Sequence, residues 1–366
     1  MTSLKKGTIA GYQLIYLIIG FSLGSALVFA PGRAAQQDAW IAIMIGAAES
    51  MFFALIYTAL ARRFPGKTLV EIEETVFGPY LGKLIAAIFL WYLFHLGSIV
   101  IRNFTDFFTI AVMAETPSLV FAVLLVLVSA LAVSYGLEVI ARCSLILLPI
   151  TVFLLTTTFL LQLNQFDFKN FLPILEISFR DLLGASHALA AFPFGETVTF
   201  LMFFPFLDRP KAGRRPTLIA ILLTAILLIT VSARVIGVLG ATAGLVTYPS
   251  LEAIKFINVP FVSLRLEVIV MINFLAMGFL KISLLHYGTV LGLGQIFKFR
   301  SIRPLIIPVG ILMIIFSIIN FSGISENIEF AETGYPIYTL PFQLGIPLLT
   351  LIVALVRKLP RRPVKC

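Results

Sequence analysis

Phe192-Pro193-Phe194-Gly195-Glu196-Thr197 lies in the middle of an otherwise apolar run, residues 182–206. Its residues work against a continuous helix. Proline removes a backbone donor, and glycine costs about 1 kcal/mol relative to alanine inside a helix. A carboxylate follows at once. At membrane depth, unwound backbone is tolerated only where it is covered by protein or lines a water-filled cavity. The stretch therefore reads as an interrupted membrane helix whose bare peptide groups face a site.

Working outward, a bilayer-crossing helix needs about 20 mostly apolar residues. Ten such runs are found, at 9–30, 40–61, 84–112, 119–135, 140–162, 182–206, 217–240, 262–292, 302–321 and 337–356. Run one carries its own breakers, Gly20-Phe21-Ser22-Leu23-Gly24-Ser25. Runs one and six each open a set of five. Five is odd, so the second set is inserted upside down relative to the first. Proteins of that design hold their ligand near the midplane, where the first helix of each half is broken. The expectation is an all-α polytopic membrane protein with ten transmembrane helices and broken helices one and six. It forms a single transmembrane domain over 1–366, with inverted repeats of about 9–162 and 182–356. Gly20 and Gly24 also fit a close-packing motif.

Composition agrees. The chain has 366 residues, 60% hydrophobic and 12% charged, with a mean hydropathy of +1.04. Soluble domains are about 25% charged, so an ordinary cytosolic enzyme, a disordered chain and a nucleic-acid-binding domain are excluded. The net charge of +9 reads as topogenic Lys and Arg. With the N-terminus in the cytoplasm, nineteen of the 27 basic residues fall on the inner side, including Lys5, Lys6, Arg361, Arg362 and Lys365. Five fall outside: Arg33, Lys169, Arg180, Lys255 and Arg265. Both termini are therefore expected in the cytoplasm, with a tail at 357–366. Residues 67–77 and 249–257 are amphipathic and read as short interfacial helices.

Ionisable groups inside membrane spans are functional candidates by default. Here they are Glu49, His95, Arg102, Asp106, His187, Glu196, Arg234, Glu267, Lys281 and His286. Arg102 and Asp106, four apart, share a helix face and can pair, either as a structural pair or as a coupling site. Glu196 should open a half-helix, where the dipole favours a carboxylate. It can receive a ligand amine, carry a proton or cap the helix. Lys281 can bind a proton reversibly, stand in for a bound cation or neutralise Glu196. His286 reads as a packing histidine, and Arg234 as a residue that snorkels to the interface. Glu49 has no assigned role.

No catalytic constellation survives. Gly20-Phe21-Ser22-Leu23-Gly24 matches GxSxG, but that motif needs a strand–turn–helix setting. Cys143 and Cys366 form no CxxC pair, the three histidines lie on different runs, and no phosphate-binding loop is present. Neither an enzyme, a metal site nor a cofactor is expected.

Certain stretches carry a family resemblance. They are Phe77-Gly78 with Gly82-Lys83; Phe192-Pro193-Phe194-Gly195-Glu196 with Phe200-Leu201-Met202; and Tyr248-Pro249-Ser250-Leu251-Glu252 with Ile257-Asn258 and Arg265-Leu266-Glu267. The chain resembles the B subunits of bacterial spore germinant receptors, the endospore germination permeases of the amino acid/polyamine/organocation superfamily. The resemblance implies the ten-helix, amino-acid-permease-like (LeuT-like) inverted repeat, a location in the spore inner membrane and assembly with A and C subunits. It also implies recognition of a small germinant, often an amino acid, followed by ion release.

The leading expectation is a ligand sensor on a transporter scaffold, embedded in the lipid bilayer. The ligand carboxylate would meet freed amides around Gly20, Ser22, Gly24 and Ser25. Its ammonium would meet carbonyls near Phe192 and Phe194 and the carboxylate of Glu196, beside Gly195 and Thr197. Phe192 or Phe194 would close over the side chain. A proton- or cation-coupled amino-acid transporter and a water or ion conduit are the alternatives, with Glu196, Lys281, Arg102 and Asp106 as coupling candidates.

Overall fold

The computed structural model describes residues 7–29, 32–257 and 266–360. Lys5, Lys6, Ala30, Asn258, Val262, Arg265, Arg361, Arg362, Lys365 and Cys366, which enter the readings above, lie outside the described residues. The helices are α1 (Gly11–Phe29), α2 (Ala39–Arg63), α3 (Leu69–Phe77), α4 (Leu81–Ala111), α5 (Ser118–Tyr135), α6 (Leu137–Leu161), α7 (Phe179–Leu189), α8 (Arg214–Leu239), α9 (Pro249–Ile254), α10 (Glu267–Ile296), α11 (Arg303–Ile319), α12 (Ile324–Glu329), α13 (Tyr335–Leu340) and α14 (Ile346–Val356). Among the described residues the extended pairing is an isolated bridge, Ile9 with Leu207, which ties the start of the chain to the end of run six.

Seven stretches of the described residues are long and apolar enough to cross a membrane: Arg33–Arg63, Leu81–Ala111, Ser118–Tyr135, Leu137–Leu161, Arg214–Gly244, Glu267–Ile296 and Ile324–Val356. Shorter apolar helices, Gly11–Leu27 and Arg303–Ile319, fall at runs one and nine. Run six is divided by its break. The outer faces are apolar, as lipid demands: Leu124, Leu127 and Leu131 on α5, Ile146, Ile150 and Phe153 on α6, and Ile307, Ile311 and Ile315 on α11 are all exposed. In water so large an apolar face would be a liability. α1 and α10 lie at the centre and pack against each other, α10 also against α4, α5 and α6.

Run six breaks where expected. α7 ends at Leu189, Phe192 takes the extended angles φ −133°, ψ 122°, and a tighter 3-10 helix follows from Gly195 to Met202.

Run one does not break. α1 is α-helical from Gly11 to Phe29, straight through Gly20 and Gly24. Its glycines serve close packing instead. A Cβ on Gly20 would fall 2.7 Å from Leu280 Cδ1, and one on Gly24 2.7 Å from Lys281 Cδ. The expected pair of interrupted helices is thus corrected to one. The α1 amides around Ser22 and Ser25 are engaged in the helix rather than free for a carboxylate.

The last span is more irregular than expected. It starts at Ile324 and passes through π-helical turns at Phe330–Gly334 and Pro341–Gly345 before reaching Val356. Pro336, Pro341 and Pro347 remove backbone donors along it, and a missing i→i−4 bond is a common cause of such distortion.

The two short helices expected within 67–77 and 249–257 form, with α9 slightly shorter. α3 opens with a capping box: Glu71 N–H donates to Thr68 Oγ1 and Thr68 N–H to Glu71 Oε2.

Candidate ligand-binding site

The break in run six is held from two neighbouring elements. Gln343 donates from Nε2 to the Ala191 carbonyl at 2.9 Å and to Tyr92 Oη at 3.1 Å. Tyr57 Oη donates to the Gln343 carbonyl at 2.7 Å. A Cβ on Gly195 would strike Gln343 Oε1 and the Ala190 carbonyl, so only glycine lets Gln343 reach the unwound turn. Freed backbone is thereby satisfied by side chains, as a buried interruption requires.

Glu196, 0% exposed, sits just past the break. Lys281 of α10, also 0% exposed, donates to its Oε2 at 2.5 Å. Tyr335 of α13 donates to its Oε1 at 2.6 Å. The ammonium lies 4.9 Å from the Phe192 ring centroid and 5.3 Å from that of Phe21, two cation–π contacts. Three separate spans thus meet on one carboxylate. A buried charge pair persists only when its hydrogen bonds are well made, and here both carboxylate oxygens have donors.

A cavity of about 130 Å³ leads to this cluster. Glu196, Ser25, Phe192 and Tyr335 line its floor side. Leu96, Ile99, Val100, Ala185, Ala188 and Leu189 form apolar walls. Its far end is bounded by Arg33, Asn327, Phe330 and Glu332, at the end of the bundle where α1 runs into α2. Arg33 is occupied there: its guanidinium donates to the carbonyls of Val246 and Gly244. For scale, an apolar cavity of roughly 150 Å³ holds benzene.

The expected site residues separate accordingly. Ser25, Phe192 and Glu196 line the cavity. Gly20 and Gly24 lie beneath α10. Ser22 is buried, and Phe194, Gly195 and Thr197 are buried within the broken segment. The hydroxyls of Ser22, Ser25 and Thr197 have no hydrogen-bond partner. Lys281 joins Glu196 without lining the cavity. Tyr335 and Gln343 were not singled out by sequence. A lone amide in the apolar run 337–356 is the signal that could have found Gln343.

The remaining ionisable groups find other partners. Arg102 pairs with Asp106 at 2.8 Å and donates from Nη1 to the carbonyls of Ser317, Ile318 and Phe321, closing the C-terminal end of α11. Glu49 meets His187 at 2.8 Å. His286 bridges Ser129 Oγ and the Ile306 carbonyl. His95 stacks on Trp91, and Glu267 opens α10. Arg234 does not snorkel. It is 3% exposed and donates to Gln162 Oε1 at 3.2 Å, because α9 and the end of α6 cover it. Among the described residues no group of His, Cys, Asp and Glu is placed to hold a metal ion.

Comparison with known proteins adds a lineage. Residues 8–322 match the family model described as "Spore germination protein". Spore germination protein KB of Bacillus subtilis (strain 168) is 31% identical over 99% of this chain and 98% of its own length. Spore germination protein YndE of the same organism is 25% identical over 94% and 96%. Among solved structures, MhsT in complex with L-phenylalanine superposes with a TM-score of 0.66 at 14% identity, covering 96% of this chain and 99% of that one. A substrate-bound, outward-open Na+-coupled sialic acid symporter gives 0.69 at 12% identity, covering 96% and 89%. At such identities the likeness establishes a shared transporter fold.

Proposed function

The chain belongs to the spore germination protein family, and from that premise we propose that it senses a small germinant, an amino acid, in the cavity that ends on Glu196. It is a multi-pass membrane protein on a transporter-like scaffold. The observation that carries the reading is the cavity itself, which joins one end of the bundle to a buried charged cluster at a broken helix. The distribution of Lys and Arg supports that end as the outer one, and in this reading the germinant arrives from outside the inner membrane of the spore. Both termini then lie in the cytoplasm. A and C subunits receive the signal.

Sensing requires that the ligand favour one conformation over another, since equal affinity for two states shifts neither. The contact between α1 and α10 supplies a place for two states, because Lys281 both binds Glu196 and packs on Gly24.

A second reading, a coupled amino-acid transporter, is favoured by the transporter fold of the structural neighbours. Radiolabelled amino acids offered to proteoliposomes separate the two. A sensor gives saturable binding without accumulation. Concentrative uptake driven by a proton or sodium gradient would replace sensing with transport.

A further inference from the structure

Glu196 and Lys281 form a wholly buried ion pair, yet only Glu196 lines the cavity. A molecule that reaches the floor therefore meets one half of the pair, with the other half behind it. A simple amine that displaced Lys281 would strand an ammonium without a counter-charge, which a buried site tolerates poorly. A simple carboxylate would confront Glu196. A zwitterion avoids both outcomes: its ammonium takes Glu196, its carboxylate takes Lys281, and every buried charge stays matched. The unbroken α1 offers no free amides for that carboxylate, and Arg33 is already engaged with backbone carbonyls.

The surroundings fit a lysine that parts from its partner. The faces of Phe192 and Phe21 already lie 4.9 Å and 5.3 Å from its ammonium and hold a cation off the carboxylate. Its stem rests on Gly24 of α1, so any shift of Lys281 alters the α1–α10 contact. Resting on the cavity reading above, we propose that an amino acid inserts into the Glu196–Lys281 pair, and that Lys281 is the carboxylate partner that restricts the site to zwitterions and passes occupancy to α1.

The test uses the full chain in detergent or nanodiscs and follows the thermal unfolding midpoint. The probes are the twenty L-amino acids, their amides, the corresponding amines, glucose and inositol. At least one amino acid should raise the midpoint saturably, while its amide and its amine need at least tenfold higher concentration. Lys281→Arg should keep the response. Lys281→Met should lose it, and so should the charge-balanced Glu196→Gln/Lys281→Met variant, which guards against misfolding of the single one. An equal response to the amide or to a sugar would overturn the proposal, as would an undiminished amino-acid response in the double variant. If the shifts survive loss of Lys281 but vanish in Ala188→Trp, which fills the cavity, the cavity reading stands and this inference falls. If no probe shifts the wild type, both fall.

Discussion

Gly24 shows how one residue's role is decided by what it faces. Its position against Lys281 Cδ means that an added methyl must push the lysine stem aside. Overpacking of this kind costs about 1–3 kcal/mol. Gly24→Ala should lower the thermal midpoint and weaken the germinant response together, whereas Gly184→Ala, inside α7 with open space around it, should keep the response and raise the midpoint, by up to about 1 kcal/mol of helix propensity. Tyr335→Phe should leave Glu196 Oε1 without its donor and cost about 1–3 kcal/mol, read as a lower midpoint in the purified chain. Glu196 and Lys281 were legible in the sequence because an ion inside an apolar run is expensive enough to need a reason. Tyr335 was not, since a tyrosine in a membrane helix is ordinary until the fold brings its hydroxyl to a carboxylate. Gly20 and Gly24 were legible as a feature but not in meaning. The same spacing serves an interrupted helix and a tightly packed one, and the side chains of Leu280 and Lys281 across the contact decide between them.

Among the elements, α3 joins the C-terminal ends of the two spans, α10 and the last, that supply Lys281 and Tyr335 to the site. Thr68 Oγ1 donates to Gln295 Oε1 of α10 at 2.7 Å, Thr350 Oγ1 of α14 donates to Glu73 Oε1 at 2.7 Å, and Arg357 donates to the Val76 carbonyl. Glu73 is 0% exposed and its second oxygen has no partner. Burial raises its pKa from 4.5 to about 8, against the opposing effect of the Thr350 hydrogen bond. The native protein therefore keeps a proton that the unfolded chain releases between those values. Stability contributed here is greatest at acid pH, falls as pH rises from about 4.5 to about 8, and then levels off. Thermal midpoints taken across that window should fall more steeply for the wild type than for Glu73→Gln; parallel slopes would contradict the assignment. The helix itself was legible from its amphipathic pattern, and the break of run six from Pro193 and Gly195. The bends of the last span were missed, because its apolar pattern is continuous and its prolines bend the helix without ending it.

For the whole molecule, apolar length and charge asymmetry sufficed to read a polytopic bundle, and the shared transporter fold agrees. The cavity was legible only in outline: the broken segment supplies Phe192 and Glu196, but its walls come from α4, α7 and the last span, which no local pattern joins. The central claim is that a germinant occupies this cavity, and Ala188→Trp tests it most directly. Ala188 lines the cavity, while Leu183 on the same helix is exposed on its outer surface. Spores carrying Ala188→Trp at normal protein levels should lose the germinant dose–response, and spores carrying Leu183→Trp should keep it. A wild-type dose–response from Ala188→Trp spores would contradict the claim.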